Sequence, residues 1–426
     1  MDAEIGKMAN HLFRHEAGKM VSVLTKIFGT ENLELAEDVV QEAFISAINT
    51  WKLKGIPDNP SAWLYRVAKN KAIDIIRKNK HSVHFDFTNP DKELLQSEYT
   101  LMTVMENYWK EDTIQDDLLR MMYACCHDEI SPENQVTLML KTLCGFSSAE
   151  IAKAFVTTED TISKRLYRTR EFFREKKIKP EFPDPSQLHH KTSAVLKTIY
   201  LIFNEGYNST HSDQLIRKDL LDQAIYLGTL LCNNPHTKMP EAFAAMALMY
   251  FHAARIESRI NEEGEIILLT DQDRNKWNKQ WIDEANAYMN LAASGDTIST
   301  YHIEAAIAYE HCEAKTFEQT NWPQILRYYD MLAAIHPDPV VMLNRMTVLQ
   351  KIYGPDFTLS EINKSPYLKE WEKNYLFHSL LGEIYSGSDK DKAKKCYEKS
   401  LELTKSEAEK KLLLKKIGQL NPRSME

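Results

Sequence analysis

The chain has 426 residues, of which 43% are hydrophobic and 27% are charged, and its formal net charge is −8. This is the composition of an ordinary globular protein, and the length indicates about three domains. No stretch approaches the ~18 apolar residues of a membrane span, and the N-terminus lacks the apolar core of a signal peptide, so we expect a cytoplasmic protein without membrane contact.

Apolar residues recur at a helical period through most of the chain, and only 13 glycines are present. We therefore predict an all-α fold. The six cysteines are scattered without C-x-x-C spacing, which indicates reduced, mostly buried thiols. Cys125, Cys126 and His127 could be taken for a metal site, but adjacent helical residues point about 100° apart, which favours packing. We predict no metal, no cofactor and no catalytic residue.

The first predicted domain, residues 1–81, consists of three or four helices. Within Leu33–Trp51 one apolar stripe is expected, and several acidic and amide residues fall away from it. Gly and Pro in Lys54–Pro60 break this helix, and Ser61 is a good N-cap for the next one. The expected stripe is Leu35, Val39, Ala43, Ile45 and Ile48, and the polar set is Glu37, Asp38, Gln41 and Glu42.

The following helix, Trp63–His81, is strongly basic, with six Lys or Arg against one Asp. Because the whole chain is acidic, this local positive charge indicates binding to phosphates. Trp63 and Tyr65 precede the cations, and aromatic rings beside cations suit single-stranded nucleic acid. The alternative is that Trp63 packs in the core and the cations are solvated.

Residues 82–114 form an acidic linker with seven Asp or Glu against two Lys. The second predicted domain, residues 115–179, ends in another basic helix, Thr161–Lys179, with eight Lys or Arg against two Glu. Two separate basic helices on one chain suggest that the protein binds DNA at two places.

A helix-turn-helix is predicted within Phe146–Arg170. Ser147 and Ser148 cap its first helix near Glu150, and Val156–Thr158 makes the turn. Buried positions are Ile151, Ala152, Phe155, Ile162 and Leu166, whereas the outward positions are Thr161, Ser163, Lys164, Arg165, Tyr167 and Arg168. The alternative is an ordinary amphipathic hairpin with a solvated basic face.

A proline-rich linker at 180–190 separates these domains from a long helical segment, 191–426. Leu381-Gly382 with Tyr385, followed by Ala393, Tyr397 and Ser400, matches tetratricopeptide spacing of small and aromatic positions. We therefore predict a helical-repeat domain in which Glu241–Arg255 and Pro339–Lys351 are degenerate helical pairs. Within the DQDR run we expect Asp271 to cap a helix, Arg274 to pair with an acid and Trp277 to pack in the core. Residues 204–207 are expected to be a helix terminus, at which Gly206 is able to adopt positive φ.

Taken together, these segments resemble a bacterial RNA polymerase sigma factor of the extracytoplasmic-function type, in the branch with a long tetratricopeptide-like extension. The segments 36–51 and 61–78 resemble sigma region 2. The segments 116–155 and 161–175 resemble region 4. The segments 199–210, 267–278 and 339–349 resemble the extension of that branch, so that the likeness covers nearly the whole chain.

The resemblance implies a role for each part. A first set would bind core RNA polymerase: Glu37, Asp38, Gln41, Glu42 and Phe44. A second set would open and hold the −10 element of promoter DNA: Trp63, Tyr65, Arg66, Lys69, Asn70, Asp74, Arg77 and Lys78. The outward residues of the helix-turn-helix would read the −35 element, and the acidic linker would thread toward the active site of the polymerase.

Most members of the wider family end near residue 180 and are held inactive by a separate membrane protein. The extension of this chain is therefore expected to regulate activity, through a partner protein or an intramolecular contact. The competing interpretation is a helix-turn-helix regulator whose helical domain senses a ligand or dimerises. An enzyme is disfavoured because no catalytic motif is present, and a pure scaffold would leave the two basic helices unexplained.

Overall fold

The computed structural model describes residues 2–79, 105–155, 157–208 and 216–420. Within these ranges the regular elements are helices, and the one exception is an isolated antiparallel bridge between Ile260 and Ile266. The all-α prediction is confirmed. Most of the predicted acidic linker, residues 82–104, lies outside the described residues.

The chain forms two compact units, Met1–Ile202 and Phe203–Glu426. A 3₁₀ turn, Thr30–Asn32, joins the first two helices. The helices of the first unit are α1 (Asp2–Phe28), α2 (Leu33–Lys54), α3 (Pro60–Asn79), α4 (Glu111–Cys125), α5 (Pro132–Thr142), α6 (Ser148–Ala154), α7 (Glu159–Lys176) and the start of α8 (Pro185–Tyr207).

The second unit continues from the end of α8. Two 3₁₀ turns, Ile256–Ser258 and Arg274–Lys276, lie between its second and third further helices. Those helices are α9 (Lys218–Asn233), α10 (Pro240–Ala253), α11 (Lys279–Ala292), α12 (Thr300–Glu313), α13 (Trp322–Ile335), α14 (Pro339–Tyr353), α15 (Pro355–Lys364), α16 (Leu368–Trp371), α17 (Tyr375–Tyr385), α18 (Lys390–Leu403) and α19 (Glu407–Leu420).

The two segments predicted as separate domains, 1–81 and 115–179, pack together inside the first unit. Helix α1 is central to this packing, and Gly18 lies so close to the backbone of Leu143 that a Cβ there would collide with it. The turn after α5 is also tight: Gly145 has φ +65°, and a Cβ there would lie 2.9 Å from the carbonyl oxygen of Phe13. These glycines permit the close approach because they carry no side chain.

The predicted proline-rich linker, 180–190, is helical from Pro185 onward. The start of α8 is tied to α4 by two side-chain contacts, Tyr123 to Thr192 at 2.7 Å and Cys126 to Thr198 at 3.6 Å. This part of α8 therefore belongs to the first unit, beyond the predicted boundary.

In the second unit, α17 and α18 form the helical hairpin that the tetratricopeptide spacing predicts. A Cβ on Gly382 would lie 2.5 Å from the ring of Tyr397, so the ring packs where Gly382 leaves room. Ser400 is fully buried and donates a hydrogen bond to the carbonyl oxygen of Tyr375 at 2.8 Å. The two segments predicted as degenerate pairs are instead single helices, α10 and α14, because neither contains an internal turn.

Two further predictions in this unit need correction. Gly206 lies in the last turn of α8, as the predicted helix terminus requires, but it does not adopt positive φ. Its missing Cβ instead allows the backbone of Leu221 to approach within 2.9 Å of that position. Asp273, rather than Asp271, caps the short turn, and Arg274 donates to the carbonyl oxygens of His311 and Ala314 rather than to an acid.

Three predictions about buried residues agree with the structure. Trp277 is a core residue at 4% exposure. Cys125 and Cys126 are fully buried, and all six cysteines are free thiols. Burial raises the pKa of Cys126 to about 12.

Among the described helices, none combines the length and apolar character needed to cross a bilayer.

Candidate nucleic-acid interface

Helix α3 presents one basic face to solvent. Its opposite face is buried through Leu64, Ala68, Ala72, Ile73 and Ile76. The exposed stripe recurs at helical spacing because residues three and four apart share a face. It consists of Arg66, Asn70, Asp74, Arg77 and Lys78. Asp74 lies 3.4 Å from Arg77, and no other ion pair within this stripe occurs among the described residues.

The remaining predicted residues of α3 are half-buried. The ring of Trp63 meets that of Trp51 edge-on at a centroid distance of 5.6 Å. Tyr65 donates a hydrogen bond to Glu16, and its ring lies 5.5 Å from Trp109. Lys69 is also half-buried. The two aromatic side chains therefore contribute to packing and still keep part of their surface exposed.

The helix-turn-helix is formed by α6 and α7. Ser147 and Glu150 make a capping box at the start of α6, as predicted. Helix α7 begins at Glu159, and Thr158 caps it by accepting a hydrogen bond from the backbone of Thr161 at 3.2 Å. Val156 of the predicted turn lies outside the described residues. The inward residues are Ile151, Ala152, Ile162 and Leu166, all buried, and half-buried Phe155.

The outward face of α7 carries the residues expected to meet DNA. Ser163, Lys164, Tyr167 and Arg168 are exposed, whereas Thr161 and Arg165 are half-buried. Lys164 pairs with Asp160 at 2.6 Å. Neither Arg165 nor Arg168 forms an ion pair among the residues that the structure describes.

A cleft of about 270 Å³ runs between the start of α7 and the start of α5. Ser131, Glu133 and Asn134 line it from α5, opposite the Lys and Arg side chains of α7. These three residues could not be predicted from the sequence, because they lie about 30 positions before α7 and only the packing of α5 on α7 brings them to the cleft.

Helix α2 carries the five residues predicted to bind polymerase, and the structure separates them into two groups. Asp38, Gln41 and Glu42 are exposed on one face. Phe44 is 5% exposed and packs edge-on against Phe13 at 4.9 Å. Glu37 is 9% exposed.

The apolar stripe predicted for α2 is only partly correct. Val39 and Ala43 are buried, Leu35 and Ile48 are half-buried, and Ile45 is 58% exposed. Ile45 follows Asp38, Gln41 and Glu42 at helical spacing and lies on their face. Between residues 38 and 45 the exposed face of α2 is therefore acidic, with the one apolar side chain of Ile45.

Glu37 is buried because α7 and α5 cover the start of α2. Its carboxylate forms a short ion pair with Arg170 and accepts a hydrogen bond from Thr142 at 3.2 Å. Burial raises the pKa of Glu37 above its ordinary value, although Arg170 and Lys141 oppose that rise. One turn further along α7, Arg174 pairs with Glu34 at 3.4 Å. Helix α7 thus contacts the start of helix α2 through two ion pairs.

Comparison with known proteins gives two family matches, one near the N-terminus and one in the middle of the chain. Residues 12–82 match the family model for sigma-70 region 2, and residues 191–293 match a family of unknown function, DUF6596. An uncharacterised protein of Rhizobium meliloti is 32% identical over 351 residues, which cover 82% of this chain and 81% of that protein. No solved structure matches the chain.

Two relatives of known class are shorter. The ECF RNA polymerase sigma factor SigW of Bacillus subtilis is 30% identical over 152 residues, which cover 34% of this chain and 75% of SigW. The RNA polymerase sigma-H factor of Pseudomonas aeruginosa is 30% identical over 145 residues, covering 32% of this chain and 69% of that protein. With its region 2 match and its helical C-terminal part, the chain belongs to the extracytoplasmic-function family of RNA polymerase sigma factors.

Proposed function

We propose that this sigma factor binds core RNA polymerase and directs it to promoters through two separate DNA contacts, without chemistry of its own. The observation that carries the proposal is the pair of exposed basic faces, on α3 and α7, in a chain of net charge −8. Each neutralised phosphate releases condensed counterions, which favours binding to DNA at physiological salt.

The face of α3 is assigned to the −10 element. Arg66, Arg77 and Lys78 hold the phosphates of a strand that is being separated, and Asn70 can donate to and accept from a base edge. Trp63 and Tyr65 keep part of their rings exposed, so an unpaired base can stack there.

The start of α7 is assigned to the −35 duplex. The N-terminal residues of a recognition helix meet base edges in the major groove, and in α7 these include Ser163, Lys164 and Arg168. Ser131 and Asn134 face the same cleft and can bind phosphate oxygen atoms, which would fix the register of α7 on the duplex.

The exposed face of α2 is assigned to core polymerase, through Asp38, Gln41 and Glu42 with Ile45 among them. Glu37 is buried against Arg170 of α7, so it can contact polymerase only after α7 has moved away from α2. Phe44 is buried against Phe13 of α1, so movement of α7 alone would not expose it. The acidic linker, residues 82–114, is assigned to the path toward the active site of the polymerase.

The contact between α2 and α7 therefore gives the protein a closed arrangement. In it, Arg170 and Arg174 neutralise carboxylates of the polymerase-binding helix. Binding to polymerase would separate the two helices and release α7 for the −35 element. The C-terminal extension is assigned a regulatory role, as a module that binds a partner protein.

Equilibrium binding of the labelled full-length protein to core RNA polymerase tests this function. The double variant Asp38→Ala/Gln41→Ala should bind polymerase at least about tenfold more weakly, because two polar contacts of about 1 kcal/mol each are lost. Lys369→Ala, an exposed change in the extension, is the control and should bind like the wild type. A protein that binds duplex DNA tightly but not core polymerase would instead be a helix-turn-helix regulator.

A further inference from the structure

The second unit contains a groove with a volume of about 600 Å³. We call it the extension groove and define it by Phe317, Trp322, Tyr329, Lys351, Tyr397 and Lys416, which come from four helices and one loop. Its volume is in the range of ligand-binding clefts. Helical-repeat proteins use extended concave surfaces of this kind for binding.

The floor of the extension groove is apolar and partly open. Phe317 and Trp322 meet edge-on at a centroid distance of 5.2 Å, and each is only half-buried. Tyr329 is half-buried beside them, and Val348 and Leu420 complete the floor. An aromatic or aliphatic side chain placed here would remove exposed apolar surface from water, which favours binding.

The rim of the groove is positively charged. Three lysines line it, Lys351, Lys390 and Lys416, against one carboxylate, that of Glu383. Glu383 is shared, since its oxygens lie 3.0 Å from Lys351 and 3.9 Å from Lys416. Lys390 has no ion pair within the described part of the chain. This local excess of positive charge, in a protein of net charge −8, fits an occupant that carries carboxylates.

Polar side chains also line the extension groove, and they favour binding of a peptide over binding of a small, mainly apolar anion. Asn344 and Lys351 are seven residues apart on α14, so they lie on one face of that helix. The amide of Asn344 can donate and accept at once, as a peptide backbone requires. Ser386 and Gln419 add two more groups with both capacities along the same groove.

We propose that the extension groove binds an extended acidic peptide segment of a partner protein. One aromatic or aliphatic side chain of the peptide lies against Phe317 and Trp322, and its carboxylates pair with Lys351, Lys390 and Lys416. This inference deepens the partner-binding role proposed for the extension. Its test measures peptide binding alone, so that its failure would leave the promoter function standing.

The test starts from a displayed library of random peptides of about ten residues, selected on the immobilised full-length protein at physiological salt. The selected peptides should be rich in Asp and Glu and should share an aromatic or aliphatic position. One selected peptide, synthesised with a fluorescent label, is then the probe for variants of the full-length protein.

Two kinds of variant change different properties of the groove. Lys351→Met/Lys390→Met keeps the aliphatic stems and removes two charges; it should weaken binding about tenfold and reduce the salt dependence. Thr347→Trp fills the groove from an exposed position on α14 and should abolish binding. Lys369→Met/Lys373→Met, which removes two exposed charges outside the groove, is the charge-matched control and should bind like the wild type.

Three outcomes would overturn the proposal: selection of no peptide, selection of basic peptides, or a selected peptide that binds all variants equally. The dye 8-anilinonaphthalene-1-sulfonate is tested in parallel. If the dye binds and Thr347→Trp blocks it, while no peptide is selected, the groove takes a small anionic ligand and the peptide assignment is wrong. Thermal melting establishes that each variant is folded, and if Thr347→Trp is not, the lysine variant decides.

Discussion

Arg170 shows how a single side chain can couple the two functions of the first unit. It forms an ion pair with buried Glu37 on α2, and it lies on α7, the helix assigned to the −35 element. Breaking a buried pair by removing one partner leaves an uncompensated charge, which is costlier than losing a surface pair. Burial raises the pKa of Glu37 above its ordinary value, which shows that its charged carboxylate is partly desolvated even with Arg170 in place.

Arg170→Met should destabilise the contact between α2 and α7 by about 1–3 kcal/mol, less than a fully buried pair because Thr142 and Lys141 still support the carboxylate. Affinity for core polymerase should rise, since the start of α2 becomes accessible. Surface plasmon resonance with immobilised polymerase measures this. Arg174→Met, which removes a solvent-exposed pair, is the control and should change affinity little. Weaker binding by Arg170→Met would mean that this contact does not compete with polymerase.

The ion pair between Arg170 and Glu37 could not be predicted from the sequence. Glu37 falls on the polar side of the helical pattern of α2, and Ile45 on the apolar side. Their exposures are reversed because Arg170, 133 positions away, forms an ion pair with Glu37, whereas Ile45 remains 58% exposed. Local periodicity carries no information about a partner at that separation.

Among the elements, α7 was the most predictable. Its first residue and its two inward side chains, Ile162 and Leu166, follow from the turn signal and from helical spacing. The cleft against α5 was not predictable, because it depends on how two helices pack. The same holds for α8, whose first half bonds to α4 through Thr192 and Thr198.

Substitution in α7 should affect duplex recognition selectively. Arg168→Ala should cost about 1–3 kcal/mol in binding to a −35 duplex if it contacts a base, and should relax sequence preference at one position. Competition binding with a set of single-base-pair variants of the −35 duplex measures this. Ser163→Ala on the same face is a milder comparison. An equal loss on every duplex would assign Arg168 to a phosphate instead.

Substitution in α3 should change the salt dependence of binding. Arg77→Ala/Lys78→Ala removes two cations from the exposed stripe, so the slope of log affinity against log salt should fall by about 1.4 on single-stranded DNA. Titration of the polymerase complex with a fork-shaped promoter fragment at several salt concentrations measures the slope. Lys369→Ala should leave it unchanged. An unaltered slope in the double variant would remove α3 from the DNA contact.

For the whole molecule, the histidines of the second unit predict its response to acid. Burial and neighbouring arginines hold the pKa of His252 well below its ordinary value, and they lower that of His311 to about 3. Between the ordinary pKa of about 6.5 and these lower values, the unfolded chain binds protons that the folded chain does not. The free energy of unfolding should therefore fall as the pH drops below about 6.5.

The expected loss is up to about 1.4 kcal/mol per pH unit for each histidine. Urea denaturation at pH 7.5, 6.5 and 5.5 measures it. Because other groups also titrate, the informative quantity is the difference between the wild type and His311→Gln, whose stability should depend less steeply on pH. Identical pH dependence in the two proteins would contradict the neutral state assigned to His311.

The helical class and the region 2 segment could be predicted from the sequence, because helical periodicity indicates the first and the motifs within residues 36–78 indicate the second. The sequence did not predict that 1–81 and 115–179 share one compact unit. That arrangement depends on close approaches such as Gly18 against Leu143, which a local pattern does not reveal.

Run-off transcription tests directly whether this protein directs core RNA polymerase to a promoter. Purified core RNA polymerase is supplied with the full-length protein and with DNA from upstream of its own gene. We expect a transcript with a defined start that requires the protein and is strongly reduced by Arg77→Ala/Lys78→Ala, while Lys369→Ala has no effect. If initiation does not depend on the protein, although the polymerase is active on another promoter, the protein does not recognise a promoter in that DNA. If the protein does not associate with core polymerase at all, it does not act as a sigma factor.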